Sequence, residues 1–122
     1  MNVKELFKGA IEGTGDVAKD LMGTATDLVK EGTADIGELF GAVVELGAEG
    51  VGDVTSGVRD VFIGSVKALE ESGKTTEEAV EAVATKATSA VSNISKEGME
   101  DASGAAQKGI EEAKEIVKKP LE

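Results

Sequence analysis

The sequence predicts an all-α protein, a long antiparallel helical hairpin or elongated helical bundle built on an eleven-residue repeat. Three observations carry that expectation. An apolar stripe of helical period runs through most of the chain. The apolar palette is Ala, Val, Leu and Ile, with three Phe and no Tyr or Trp, which suits thin helix–helix seams better than a thick core. One strong stop-and-start signal stands near residue 73.

The stripe is read first. Apolar or small residues recur at Val3, Leu6/Phe7, Ala10/Ile11, Thr14, Val17/Ala18, Leu21/Met22, Ala25, Leu28/Val29, Gly32, Ile36, Leu39/Phe40, Val43/Val44, Gly47, Gly50/Val51, Val54, Val58, Val61/Phe62, Val66 and Leu69. The steps average about 3.67 residues, three turns per eleven, rather than the roughly 3.5 of a heptad coiled coil. Residues 1–72 are therefore expected as a long Gly-rich amphipathic helix. Twelve of the sixteen Gly lie between residues 3 and 70, each costing a helix interior about 1 kcal/mol relative to Ala, so this helix needs neighbours or a surface to be stable. The cluster Gly47, Gly50, Gly52 and Gly57 marks a break near 47–57, and Gly13-Thr14-Gly15-Asp16 is another candidate, with Asp16 capping a new start.

Residues 73–75 read as a turn. Gly73 suits the left-handed stop after a helix, and Thr75 with Glu78 forms a capping-box pattern. A second, Ala-rich amphipathic helix is expected over 76–119, with its stripe at Val80, Val83/Ala84, Ala87, Ala90/Val91, Ile94, Gly98, Ala102, Ala105/Ala106, Ile110, Ala113 and Ile116/Val117. Pro120 ends it, and Lys114, Lys118 and Lys119 sit near the negative end of its dipole. Two helices or three both fit this pattern.

Composition then narrows the function classes. Cys and His are absent, so no disulfide can form and the side chain best suited to proton transfer at neutral pH is missing. There is no Tyr, and no nucleotide-binding glycine loop: Ser72-Gly73-Lys74-Thr75 lacks the earlier glycine that a phosphate loop requires. Pairs such as Glu77/Glu78 and Glu111/Glu112 lack a calcium-loop pattern and read as solvated or capping acids. No catalytic residue, cofactor or metal site is expected, and the chain is read as no enzyme. A net charge of −11 opposes nucleic acid and anionic membranes. No apolar run is long enough for a transmembrane segment, and the N-terminus lacks a secretory pattern, so the expected location is cytoplasmic.

Three patterns point toward association. The basic residues of the first 70 (Lys4, Lys8, Lys19, Lys30, Arg59, Lys67) follow stripe residues by one or two positions. Most acids, among them Asp16, Asp20, Asp27, Asp35, Asp53 and Asp60, precede one. A helix with one basic and one acidic flank can lie beside a copy of itself, and head-to-tail pairing of that kind closes into rings or extends into filaments. Gly9/Gly13 and Gly37/Gly41 are spaced to let another helix approach closely. The third pattern is the eleven-residue stripe itself. Val29-Lys30-Glu31-Gly32-Thr33 and Ser95-Lys96-Glu97-Gly98-Met99 resemble the Lys-Glu-Gly core of the synuclein repeats. The Ala/Gly/Thr/Lys/Glu texture is similar to late embryogenesis abundant proteins and to phasins. That resemblance implies a chain that becomes helical on a lipid or polymer surface. Synuclein helices carry lysine along both edges of the apolar face, whereas one edge here is acidic.

The resulting expectation is a structural or scaffold protein that self-associates as a homo-oligomer, or packs on a helical partner in a larger complex. Its interaction seam comprises Leu6, Phe7, Leu21, Leu28, Ile36, Leu39, Phe40 and Val43, with Gly37 and Gly41 beside it. Replacing Ile36 or Leu39 with Asp is expected to abolish assembly. The alternatives are a coat for a neutral lipid or hydrophobic granule surface, and a disordered stress-protective chain.

Overall fold

The computed structural model describes residues 2–13, 15–32, 34–96 and 100–118. They form six helices and no strand: α1 (Val3–Glu12), α2 (Val17–Glu31), α3 (Ile36–Ala48), α4 (Val54–Glu71), α5 (Thr76–Lys96) and α6 (Glu100–Lys118). Where a long helix was expected over 1–72, with a break near 47–57 and a candidate one at 13–16, four helices stand. The expected second helix is divided between α5 and α6. Pro120 and Lys119 lie outside the described residues.

Local chemistry explains the divisions. The side chains of Asp16, Asp35 and Asp53 accept hydrogen bonds from Lys19 N, Gly37 N and Ser56 N, satisfying donors that open helix starts leave bare. Asn2 does the same for Glu5 N. The three aspartate caps belong to a repeated string, Gly13-Thr14-Gly15-Asp16-Val17, Gly32-Thr33-Ala34-Asp35-Ile36 and Gly50-Val51-Gly52-Asp53-Val54, whose first and third copies fall at the breaks expected from sequence and whose second does not. A glycine releases one helix, an aspartate starts the next, and a β-branched residue opens it. At Gly50 the backbone takes φ +90°, and Val51 N donates to Leu46 O at 2.8 Å, closing α3 as a left-handed cap does. The capping box at α5 is formed, with Glu78 N donating to Thr75 Oγ1 at 3.1 Å and Thr75 N to Glu78 Oε1 at 3.0 Å.

Burial follows the stripe. Phe7, Leu21, Ala25, Leu39, Phe40, Val43, Val58, Val61, Phe62 and Val66 are all at most 2% exposed. So are Val83, Ala87, Ala106 and Ala113. The seam is therefore largely spent inside one chain.

Helix directions follow from cross-helix contacts. Lys30 meets Glu71, and Thr26 meets Gly64, so α2 and α4 run parallel. Thr55 meets Ala105, and Arg59 meets Glu112, so α4 and α6 also run parallel. Phe40 packs on Phe62, with ring centroids 6.4 Å apart, and Val43 lies against Gly57, so α3 runs opposite to α4. The helices α2, α4 and α6 thus form a row with α4 at its centre. α3 and α5 lie side by side against that row, and α1 packs on α2 and α3.

Candidate interaction face

The central helix is buried on several sides because its neighbours approach it over small residues. A methyl group added at Gly64 would stand 2.5 Å from the Met22 carbonyl oxygen, and one at Gly57 would stand 2.5 Å from Val43 Cγ2. One at Gly109 of α6 would meet the Thr55 carbonyl oxygen. Hydroxyls bridge the same seams. Thr26 Oγ1 donates to Gly64 O at 2.9 Å, and Thr55 Oγ1 donates to Ala105 O at 3.0 Å. Close approach of this kind replaces large side chains by backbone contact, which suits a chain with so few aromatic residues.

On the outer side of the row, a groove of about 900 Å³ runs along α2 between α1 and α4. Leu6, Ala10, Met22 and Ile63 contribute its apolar surface, and each is half-buried. Ala18 and Gly23 keep it open to a backbone, since nothing lies within 4 Å of a methyl built at Gly23. Its rim carries both signs of charge, Lys19, Lys30 and Lys67 beside Asp16, Asp20, Asp27 and Glu71.

The expected seam residues are divided by this arrangement. Phe7, Leu21, Leu39, Phe40 and Val43 are buried in the core; Leu6, Leu28, Ile36, Gly37 and Gly41 are half-buried. Only Leu6 of the ten lines the groove. Gly41 faces a small depression shared with Val44, Ala90 and Ile94, and a methyl group there would meet nothing within 4 Å. Neither would one at Gly9, while Gly13 caps α1. Met22 belonged to the expected stripe, whereas the groove residues Gly23 and Ile63 and the close-approach glycines Gly64 and Gly109 did not stand out in the sequence. Gly57, expected as part of a break, lies inside α4 and serves close approach instead.

Charged flanks pair within the chain. Lys4 Nζ lies 2.6 Å from Glu49 Oε2, Lys30 Nζ 3.6 Å from Glu71 Oε1, and Lys86 Nζ 3.5 Å from Asp35 Oδ1. The hydrogen bond to Glu49 holds the Lys4 ammonium above its ordinary range. Asp60 departs from the acidic flank assigned to it: it is 2% exposed, and desolvation pushes its carboxyl upward, with Arg59 opposing. No described helix is long and apolar enough to cross a membrane. Compared with protein-family models, curated proteins and solved structures, the chain matches none.

Proposed function

We propose that the chain is a structural or scaffold protein without catalytic activity, which associates with copies of itself or with a larger helical complex through the α1–α2–α4 groove. The groove's composition carries this reading. An apolar floor flanked by lysines and aspartates is the counterpart of a helix with an apolar stripe, one basic edge and one acidic edge. The guest stripe lies on Leu6, Met22 and Ile63, while its edges face Lys19 and Lys67 on one hand and Asp20 and Asp27 on the other. Exposed ion pairs add little energy, so the apolar floor supplies affinity and the rim sets orientation.

Sedimentation equilibrium over a wide concentration range tests this directly. The wild-type mass is expected to rise with concentration, and Met22→Asp is expected to hold the protein as a monomer with unchanged helicity. A monomer at every concentration overturns self-association, and wild-type assembly by Met22→Asp overturns the groove as its site.

A second reading is a coat for a neutral lipid or polymer-granule surface, in which the helices part and lay their stripes on that surface. It is favoured by the single stripe that passes through α1 to α4 across the short junctions at 13–16, 32–35 and 49–53. The acidic shell directs such a coat away from anionic lipid. Flotation with neutral vesicles and with polyester granules tests it, and protein left in the aqueous fraction in both assays overturns it.

A further inference from the structure

Asp60 is the one ionisable side chain that the fold buries among the described residues, at 2% exposure. Its cationic partner is its own neighbour: Arg59 Nε donates to Asp60 Oδ1 at 3.4 Å, while Nη1 of the same guanidinium reaches Glu112 Oε1 on α6 at 3.4 Å. Arg59 is the only arginine in the chain. Adjacent positions on a helix do not face each other, so this guanidinium must fold back along α4 to touch Asp60. Both contacts are long beside the roughly 2.7–2.9 Å of a good charge-assisted bond. One cation is thus divided between two carboxylates and serves neither well.

The position matters as much as the pairing. Asp60 stands one turn before Gly64, where α2 comes closest to α4. From α2, the cap Asp16 adds a like charge; from α6 the facing charge is Glu112. α3 presents uncharged Phe40, Val43 and Gly47 to α4, and α5 brings Ala79, Val83 and Ala87 to the common core. Among the described residues, Arg59 is the cation that offsets the buried carboxylate.

We propose that Asp60 is a proton-operated device that sets how tightly the α2–α4–α6 row closes. Neutralised, it lets α2 seat fully on α4 and leaves Arg59 to Glu112; ionised, it holds the row looser. Burial raises its folded-state pKa above the unfolded one. The stability linked to this group is therefore complete below the unfolded value and is lost as pH rises through the folded value. Acidification through that folded-state value therefore tightens the row.

The test uses the full chain and two readouts. In a carbon-13 titration of the side-chain carboxyls, Asp60 is expected to take up its proton above the ordinary aspartate value of 3.8. Amide-exchange protection in α2 and α6, corrected for intrinsic rates, is expected to rise several-fold in the wild type as pH falls through the value at which Asp60 takes up its proton. Asp60→Asn is expected to hold the high protection on both sides of that value. Asp27→Asn, which changes net charge equally, is expected to keep the wild-type response. Titration of Asp60 at or below that ordinary value overturns the proposal, whether or not Asp60→Asn folds. So does a wild-type exchange response in Asp60→Asn.

Discussion

The Thr26 hydroxyl lies 2.8 Å from the Met22 carbonyl of its own helix and 2.9 Å from the Gly64 carbonyl of α4, so one proton is shared between two parallel helices. At 8% exposure this group has little access to water. Thr26→Val keeps the shape and removes the donor. The expected cost is about 1 kcal/mol, the usual worth of a hydrogen bond in a folded protein, read as a lowered urea midpoint with an unchanged slope.

Glycines in this chain divide into two physical kinds, and one substitution separates them. At Gly64 an added methyl stands 2.5 Å from backbone, which cannot yield as a flexible side chain would, so α2 must move. Gly64→Ala is expected to destabilise by about 1–3 kcal/mol, the range of overpacking. At Gly41 the same methyl meets nothing within 4 Å. Gly41→Ala is expected to stabilise by about 0.5–1 kcal/mol through helix propensity alone. Opposite signs in parallel urea melts check both.

That contrast also explains what was legible in the sequence. The all-helical class, the inward stripe and the Thr75–Glu78 capping box are local properties of residue type and spacing, and they could be read directly. The junctions at 13–16, 32–35 and 49–53 were written there too, in three copies of a glycine-to-aspartate string. Those at 13–16 and 49–53 were read as breaks from their glycines, while the stripe running on through Gly32 and Ile36 masked the one at 32–35. Which glycines bring helices together is not local: Gly41 and Gly64 both follow apolar residues in a helix, and only the partner across the seam distinguishes them. Asp60 was hidden for the same reason. On α4 taken alone it belongs to an acidic flank, and the arrival of α2 turns that flank into an interior.

Leu39 is fully buried against the core that Phe40 and Phe62 anchor. Leu39→Ala is expected to cost about 2–5 kcal/mol, the range for deleting a buried leucine side chain. Thermal unfolding followed by circular dichroism checks it. Leu39→Asp, expected from sequence to abolish assembly alone, places a charge in that same core and is expected to lose helical structure as well.

The start of α5 supplies a pH dependence opposite in sign to that of Asp60. Hydrogen bonding with Thr75, backbone first and hydroxyl second, holds the exposed Glu78 carboxyl below its ordinary value of 4.5. Because the folded-state pKa is depressed, this contribution is complete above the unfolded value and is lost as pH falls through the folded one. The first turn of α5 is therefore expected to fray in acid below about pH 4.5, while its middle, anchored by Val83 and Ala87, holds longer. Glu78→Gln retains an acceptor for Thr75 N but cannot titrate. Protection of amides 77–79 is expected to be somewhat lower than wild type at neutral pH, where the charge aids the helix start, and to lose the acid step attributable to Glu78. An acid step of wild-type size in that variant assigns the fraying to the helix as a whole rather than to Glu78.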